Sequence, residues 1–333
     1  MQITVFSTKP YDEDFLQRVN ADYKFTLNFQ TSALSASTAI LAHNSQAVCL
    51  FVNDKADAAA IASLAEQGVQ LIALRCAGFN NVDLKACAQH GIKVVRVPAY
   101  SPHAVAEHAC ALMLALNRKI NRAASRTREG DFSLHGLMGF DMYGKTAGIV
   151  GTGKIARALI SILKGFGMQV LAYDIYPDAA YAAQAGISYV SFDELCAKAD
   201  IISLHCPLTD ATRHIINASS IAKMKHGVML INTGRGQLIC TKDLVAGLKT
   251  GQIGYAGLDV YEEEAKYFYS DESDAVMTDD VLARLLTFNN VIVTSHQGFF
   301  TQEALTNIAK TTLQNVQDFV DGKALVNEVV ATA

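Results

Sequence analysis

The sequence predicts an α/β protein made of two doubly wound parallel-sheet domains. Short, almost wholly apolar segments such as "QLIALR" alternate with segments such as "AAAIASLAEQG", in which apolar residues recur at helical spacing. Apolar strands without polar alternation are typical of parallel sheets that helices cover on both faces. A chain of 333 residues is long for one hydrophobic core, so we expect two domains.

The predicted strands are short and regularly spaced along the chain. Each is bounded by glycine or polar residues, and a helical segment follows most of them. They lie at 3–6, 47–52, 70–75, 93–97, 146–151, 169–174, 200–205, 227–232, 253–260 and 290–295.

The boundary between the domains is predicted where prolines interrupt the chain after the fourth strand. Ser101 or Pro102 can open a long helix there. The last helix is too short to fold alone, so it should return to cover the first domain. We therefore predict one domain at 1–100 plus 299–333 and the other at 101–298.

Composition argues against several classes of protein. The net charge of −4 is the opposite of the basic excess that nucleic-acid binding requires. Seven scattered cysteines without metal-like spacing predict no metal site and free thiols in a reducing compartment. The N-terminal segment turns polar before a signal-peptide core forms, and no apolar run reaches membrane length. We expect a cytoplasmic protein whose partners include neither nucleic acid nor membrane.

Two charged stretches allow more than one interpretation. Residues 117–130 are basic and residues 262–280 are acidic. Solvated surface is the favoured interpretation of both, with an anion site or a subunit contact as the alternative.

The segment from 146 to 174 carries a dinucleotide-binding fingerprint. A strand runs into Gly151-Thr-Gly153-Lys-Ile-Ala156, a helix follows, and a second strand ends at Asp174. Gly151 permits the tight turn, Gly153 lets a pyrophosphate approach the backbone at the helix N-terminus, and Ala156 keeps helix and strand close. Asp174 can accept from a ribose 2′-hydroxyl and would repel a 2′-phosphate, so NAD is the predicted cofactor.

An arginine between two glycines follows the strand at 227–232. Arg235 stands between Gly234 and Gly236 in "NTGRG". A guanidinium with small neighbours suggests close contact with a planar anion, because its fork binds carboxylates bidentately. In a nicotinamide enzyme that anion is a substrate carboxylate.

Two later strand ends carry candidate acid–base groups. "GLDVYEEE" presents Glu262, Glu263 and Glu264, and "VIVTSHQGFF" presents His296. Ligands in open α/β sheets bind outside the carboxyl ends of the strands. Histidine can exchange a proton near neutral pH, and a carboxylate on its far nitrogen would orient and favour the charged ring. The residues alone leave open which glutamate does so.

These motifs together resemble the D-isomer-specific 2-hydroxyacid dehydrogenases. The match covers essentially the whole chain and rests on "GTGKIA", "HCPLT", "INTGRGQLI", "GLDVYEEE", "SHQGF", "LRCAGFNNVDL" and "VPAYSPHAVAEHA". The resemblance implies a Rossmann-type coenzyme domain and a flavodoxin-like substrate domain with an interdomain cleft. It also implies that Arg235 binds the substrate, that Glu264 pairs with the catalytic residue, and that His296 is that catalytic residue.

The resemblance assigns further site residues by position. Backbone amides around Ala77 and Gly78 form a carboxylate cradle, and Tyr100 and Phe299 line the pocket for the substrate side chain. Relatives often carry asparagine where this chain has Thr212, whose hydroxyl could make part of the same contact. The implied cofactor contacts are Gly151, Gly153, Lys154, Ile155, Asp174, Cys206, Pro207, Thr212, Thr233, Gly234 and Asp259.

The resulting hypothesis is reversible reduction of pyruvate to D-lactate by NADH, in a homodimer or homotetramer. "HQGF" with Tyr100 and Phe299 favours the lactate branch, Glu264 argues against formate enzymes, and the predicted domains leave no place for a C-terminal regulatory domain. Two alternatives stay open. One is a dehydrogenase for a bulkier D-2-hydroxy acid, and the other is a non-catalytic NAD-sensing binding protein, since the family includes corepressors.

Overall fold

A computed structural model describes residues 1–264, 267–269 and 271–331. The chain divides into two compact units. Unit 1 contains Met1–Ser101 and the described residues from Phe300 onward, and unit 2 contains Pro102–Phe299. Both junctions lie one residue beyond the predicted positions, so Ser101 belongs to unit 1 and Phe299 to unit 2. Each unit is a parallel sheet covered by helices, which confirms the predicted fold class.

The sheet of unit 1 has five parallel strands in the order β2-β1-β3-β4-β5, which is the flavodoxin-type order. The edge strand β2 was not predicted, because its four residues "TLNF" are at most partly buried and show no continuous apolar run. The strands are β1 (Gln2–Val5), β2 (Thr26–Phe29), β3 (Ala47–Leu50), β4 (Leu71–Leu74) and β5 (Lys93–Val95).

The helices of unit 1 cover both faces of this sheet. The last helix of the chain, α12, buries Ala309, Leu313 and Val316 in the same core cluster as Ile3 and Leu71, so its predicted return to the first domain is confirmed. The helices are α1 (Pro10–Tyr23), α2 (Ala58–Glu66), α3 (Leu84–Gln89) and α12 (Gln302–Val320), with a 3-10 turn at Ala39–Ala42.

The residues after α12 protect the exposed edge of the sheet. Val329 N donates to Val94 O at 2.8 Å, and Arg96 N donates to Asn327 O at 3.1 Å. The backbone groups at the open edge of β5 are thereby paired, which removes a template for association with another chain.

The sheet of unit 2 has seven parallel strands in the order β12-β11-β10-β9-β6-β7-β8, a Rossmann order extended by one strand. The two-residue edge strand β8 was not predicted, because it is too short to give a pattern. The strands are β6 (Thr146–Val150), β7 (Gln169–Tyr173), β8 (Ser188–Tyr189), β9 (Ile201–Leu204), β10 (Val228–Asn232), β11 (Ile253–Leu258) and β12 (Val291–Val293).

The helices of unit 2 include the long one predicted after the boundary. It begins at Pro102 and buries Ala106, Ala109 and Met113 against the helix after the glycine loop. The basic helix that follows buries none of its residues within the chain. The helices are α4 (Pro102–Arg118), α5 (Ile120–Arg128), α6 (Lys154–Gly165), α7 (Ala179–Ala185), α8 (Phe192–Lys198), α9 (Ala218–Lys223), α10 (Thr241–Thr250) and α11 (Asp280–Leu286), with a 3-10 turn at Gly236–Leu238.

Within residues 1–264, 267–269 and 271–331, no helix is both long enough and apolar enough to span a membrane. All seven cysteines fall within these ranges, and each is a free thiol.

Candidate active site

The glycine loop joins β6 to α6 in unit 2. Gly151 has φ +88°, and a Cβ on it would lie 2.7 Å from Cys206 N, so only glycine fits there. A Cβ on Gly153 would meet nothing within 4 Å, which leaves open space at the N-terminus of α6. The helix begins at Lys154, followed by Ile155. Its first-turn amides thus border a space that an anionic group can enter.

Asp174 follows β7 and is fixed by the loop. Its Oδ2 accepts from Thr152 N at 2.7 Å and from Thr152 Oγ1 at 2.8 Å, and its Oδ1 accepts from Tyr176 N at 2.9 Å. Burial alone would raise the pKa of Asp174, but the hydrogen bonds from Tyr176 and Thr152 outweigh it and lower the pKa. The carboxylate is therefore charged and held beside the glycine loop, where it would repel a phosphate.

The loop after β9 approaches the glycine loop at Cys206. Burial raises the pKa of the Cys206 thiol to about 11, so it stays protonated at neutral pH. Farther along, Thr212 Oγ1 donates to Pro207 O at 2.7 Å and accepts from Thr209 N at 2.8 Å. The hydroxyl of Thr212 therefore closes its own turn.

Arg235 stands three residues beyond β10 in a loop that a buried asparagine stabilises. Asn232 Nδ2 donates to Arg235 O at 2.9 Å, and Asn232 Oδ1 accepts from Gly234 N at 3.0 Å. Arg235 Nη1 donates to Gly234 O at 2.9 Å. Thr233 Oγ1 is buried and has no hydrogen-bond partner among the described residues. An orphaned hydroxyl beside a strand end fits the predicted contact with a bound cofactor.

The two glycines beside Arg235 serve different purposes. A Cβ on Gly236 would lie 2.1 Å from both the carbonyl C and the O of Tyr261, so the backbones touch there. A Cβ on Gly234 would make only an ordinary contact, 3.4 Å from Leu238 Cδ1. The sequence-based interpretation, that both glycines clear space for an anion, is therefore wrong for Gly236. The missing side chain of Gly236 instead lets the turn pack directly on the segment that leads to Glu264.

We expect Gly236→Ala to destabilise unit 2 by about 3 kcal/mol, because the overlap involves backbone atoms that cannot rotate away. Gly234→Ala is the matched control and should cost under about 1 kcal/mol. Thermal and denaturant unfolding of the two variants without substrate would measure both changes. Equal destabilisation would contradict the close-approach argument.

The strand ends carrying the candidate chemistry lie side by side. β10, β11 and β12 are adjacent and parallel, and their register aligns Asn232 with Leu258 and Leu258 with Val293. Arg235, Asp259 and His296 each follow one of these aligned positions. The three segments therefore emerge from the same edge of the sheet, with neighbouring strands about 4.8 Å apart.

His296 and Glu264 form a hydrogen-bonded pair. His296 Nδ1 lies 2.9 Å from Glu264 Oε1, and Glu264 Oε2 accepts from Tyr261 N at 3.0 Å. The ring of Tyr269 lies beside the imidazole, with centroids 6.0 Å apart, and its hydroxyl donates to His296 O at 3.5 Å. The pair leaves the opposite ring nitrogen, Nε2, for proton transfer.

The other two glutamates of the run are placed differently. Glu262 Oε1 lies 2.7 Å from His214 Nε2, and its Oε2 accepts from Thr241 Oγ1 at 2.8 Å and from Thr241 N at 3.1 Å. Glu263 is exposed. Glu264 is therefore the member of the run that meets His296.

The backbone at His296 is held in an unusual conformation. His296 has φ +54°, in the left-handed region that non-glycine residues seldom adopt. Its N donates to Asp259 O at 2.7 Å, and the Asp259 carboxylate accepts from Gln297 N at 2.9 Å and from Gly298 N at 2.8 Å. Asp259 thus fixes the turn that aims the imidazole.

The predicted substrate cradle belongs to unit 1, beyond the end of β4. Arg96 Nη1 donates to Ala77 O at 2.9 Å, and Cys76 Sγ donates to Gly78 O at 3.2 Å. Among the described residues of unit 1, the Ala77 and Gly78 amides donate no backbone hydrogen bond. Tyr100 O accepts from Asn307 Nδ2 at 2.8 Å. The fixed carbonyls leave the two amides available to an anion.

Sequence reasoning missed several groups that shape the site. Some of them stand inside the motifs quoted above, yet only proximity in the fold shows which groups they contact. The missed groups are His108, Thr152, His214, Asn232, Thr241, Tyr269 and Thr294.

A Rossmann unit with an acidic residue after its second strand and a His–Glu pair at the strand ends is typical of nicotinamide-dependent oxidoreductases. Residues 110–298 match the family model "D-isomer specific 2-hydroxyacid dehydrogenase, NAD binding domain". The chain is 51% identical over 330 residues to the D-lactate dehydrogenase of Escherichia coli, covering 99% of this chain and all of that one. The chain therefore belongs to the D-isomer-specific 2-hydroxyacid dehydrogenase family, as the resemblance suggested.

Solved structures agree with this assignment. The pyruvate reductase of Chlamydomonas reinhardtii is 49% identical with a TM-score of 0.93, over 98% of both chains. The D-lactate dehydrogenase of Lactobacillus jensenii, solved with NAD⁺, is 31% identical with a TM-score of 0.85, over 99% of this chain and all of that one. The predicted cofactor, NAD, is confirmed by the family of the matched domain.

Proposed function

We propose that this chain is an NAD-dependent D-lactate dehydrogenase that reversibly reduces pyruvate to D-lactate. The observation that carries the proposal is the 2.9 Å pair between His296 Nδ1 and Glu264 Oε1, at the same sheet edge as Arg235. A proton donor and a carboxylate-binding fork are the two protein groups that reduction of a 2-keto acid needs. Names of relatives near 50% identity support pyruvate as the substrate.

The protein groups have separate roles in the reaction. Arg235 binds the carboxylate of pyruvate through its planar fork and polarises the ketone. When bound, the reduced nicotinamide supplies the hydride that adds to C2. His296 delivers the proton from Nε2 to the ketone oxygen, which becomes the hydroxyl of lactate. Glu264 orients the ring through Nδ1 and stabilises its charged form until the proton leaves.

The proposal extends to the residues that bind cofactor and substrate. Ala77 and Gly78 offer amides to the substrate carboxylate, and Tyr100 and Phe299 contact its methyl group. The open space at Gly153, the orphaned Thr233 hydroxyl and the fixed Asp174 carboxylate support the cofactor assignment. The full proposed cofactor set is Gly151, Gly153, Lys154, Ile155, Asp174, Cys206, Pro207, Thr212, Thr233, Gly234 and Asp259.

A substrate panel tests the function. NADH oxidation would be followed with pyruvate, phenylpyruvate, 2-ketoisocaproate, hydroxypyruvate and glyoxylate, and the configuration of the product determined. We expect pyruvate to give the highest kcat/KM and D-lactate to be the product. A higher kcat/KM with a larger acid would replace the proposal by the bulkier-substrate alternative. NADH binding without turnover of any acid would favour the non-catalytic alternative.

Cofactor preference should follow from Asp174. We expect kcat/KM to favour NADH over NADPH by one to three orders of magnitude, about 1.4–4 kcal/mol, from charge repulsion and a lost hydrogen bond. Asp174→Ala should narrow that ratio by raising the efficiency with NADPH relative to NADH. Steady-state kinetics with both cofactors measure it, and equal kcat/KM values in the wild type would refute the argument.

Arg235→Lys should separate charge from geometry. Lysine keeps the positive charge but loses the fork, so one of two charge-assisted hydrogen bonds to the substrate carboxylate disappears. The loss of about 1.5–3 kcal/mol corresponds to about one to two decades in kcat/KM, with KM for pyruvate raised and kcat lowered together. Initial-rate kinetics with pyruvate check this, and an unchanged KM would show that Arg235 does not bind the carboxylate.

We also propose a cytoplasmic location and assembly into a homodimer or homotetramer. Unit 2 exposes Phe132, Leu134 and Met138 at 77%, 84% and 85% of their surface, and this grouping of large apolar side chains in one short segment supports an interface there. Light scattering on the purified protein would give the mass in solution, and a monomer would refute the assembly.

A further inference from the structure

A second histidine lies behind the turn that carries His296. His108, on α4, places Nε2 3.2 Å from Asp259 Oδ1 and 3.1 Å from Thr294 Oγ1. Asp259 is 1% exposed and Thr294 is partly buried. Gly298 closes the same cluster, since a Cβ on it would lie 2.9 Å from Asp259 Oδ2 and 3.4 Å from His108 Cδ2.

The direction of these hydrogen bonds is fixed by counting protons. A carboxylate can only accept, and the single hydroxyl hydrogen of Thr294 points to Asp259 Oδ1 at 2.6 Å. His108 Nε2 must therefore carry a proton and donate it towards Asp259 and Thr294. The imidazole acts as a donor whether it is neutral or charged.

Asp259 depends on these donors. Burial would raise the pKa of the Asp259 carboxyl, but the hydrogen bonds from His108 and Thr294, the charge of His108 and the Gly298 amide together lower it. A charged, buried carboxylate needs its full set of donors to keep one position. Two of its donors, Gln297 N and Gly298 N, belong to the residues directly after His296.

We propose that His108 is a positioning residue for the reaction: it holds the Asp259 carboxylate, which in turn holds His296 in its left-handed conformation and in line with Glu264. This inference rests on the proposed function, because it assigns His108 a part in aiming the proton donor. The strained backbone of His296 persists only because surrounding bonds determine it, and the His108–Asp259 contact ties its turn to helix α4.

Two substitutions separate positioning from simple packing. His108→Leu keeps much of the volume and removes the donor, so kcat should fall at least tenfold, while KM for pyruvate changes less than threefold. His108→Gln restores a side-chain amide donor and should keep kcat within about threefold of the wild type. His103→Leu, at an exposed position on the same helix, is the control and should keep wild-type kinetics. Circular dichroism would show that each variant is folded.

A second measurement, the NMR signal of His296, tests the same inference without any turnover of substrate. With ¹⁵N-histidine labelling, His296 signals can be assigned by comparison with His296→Gln. His108→Leu should shift or broaden the His296 Nδ1 signal, and His108→Gln should leave it near its wild-type position. Failure of the wild type to reduce any 2-keto acid would defeat the proposed function alone, with the spectra still deciding the inference. A wild-type His296 signal and kcat in His108→Leu, or equal losses in both substitutions, would overturn it.

Discussion

His296→Gln should remove nearly all pyruvate reduction while NADH still binds. Glutamine can donate a hydrogen bond but cannot release a proton at the required moment, so the new alkoxide has no acid to protonate it. General acid catalysis typically contributes a factor of about 10²–10⁴ to the rate, so we expect kcat to decrease by a factor in that range. Stopped-flow or steady-state rates give kcat, and quenching of protein or NADH fluorescence gives the binding constant.

A second substitution at this position controls for backbone strain. Asparagine adopts the left-handed region more readily than most residues, so His296→Asn should be at least as stable as His296→Gln. Both should nevertheless be equally inactive, because both lack a proton donor. Retention of more than a tenth of the wild-type kcat in either variant would show that His296 is not the acid.

The central strands could be predicted because burial on both faces dictates their composition. All five residues of β10 are buried, and a run of apolar side chains is the consequence. The edge strands β2 and β8 are only partly buried, so their sequences carry little of that signal. The tail pairing of Asn327 and Val329 with β5 depends on contacts far apart in the chain, which no local pattern encodes.

The location of the candidate site could be predicted from the sequence, but the hydrogen bonds between its residues could not. Parallel strands end at one edge, so Arg235 and His296 could be assigned to the same region from strand order alone. Which glutamate reaches His296 depends on the turn after β11, and three consecutive glutamates look alike in sequence. Resemblance to a family chose Glu264, and the geometry agrees, since Glu262 is bonded to Thr241 and His214.

The sequence argument for Arg235 treated both neighbouring glycines as space for an anion, and the structure gives Gly236 a different purpose. Gly236 is required by contact with the Tyr261 carbonyl, a neighbour 25 residues away in sequence. No local reading of "TGRG" reveals that contact. His108 was missed for the same reason, because it lies on helix α4 and meets Asp259, at the end of β11, only in the folded unit.

Glu264→Gln should change the pH dependence of the reaction. Reduction requires the charged form of His296, and the Glu264 carboxylate, 2.9 Å from Nδ1, favours that form. Glutamine carries no charge and has one acceptor oxygen, so it can accept from Tyr261 N or from the protonated ring nitrogen but not from both. Pyruvate reduction should therefore fade at a lower pH than in the wild type. At neutral pH, the loss of a charge-assisted hydrogen bond should cost about one to two decades in kcat/KM.

The neighbouring glutamates provide matched controls. Glu263→Gln changes an exposed side chain and should leave the pH profile of kcat/KM unchanged. Glu262→Gln weakens the bonds to Thr241 and His214, so it should lower stability by about 1–2 kcal/mol without moving the profile. Rates measured from pH 5 to 9 in the three variants would decide the assignment. A shifted profile in Glu262→Gln with an unshifted one in Glu264→Gln would transfer the role to Glu262, and no shift in any variant would mean that another group keeps His296 charged.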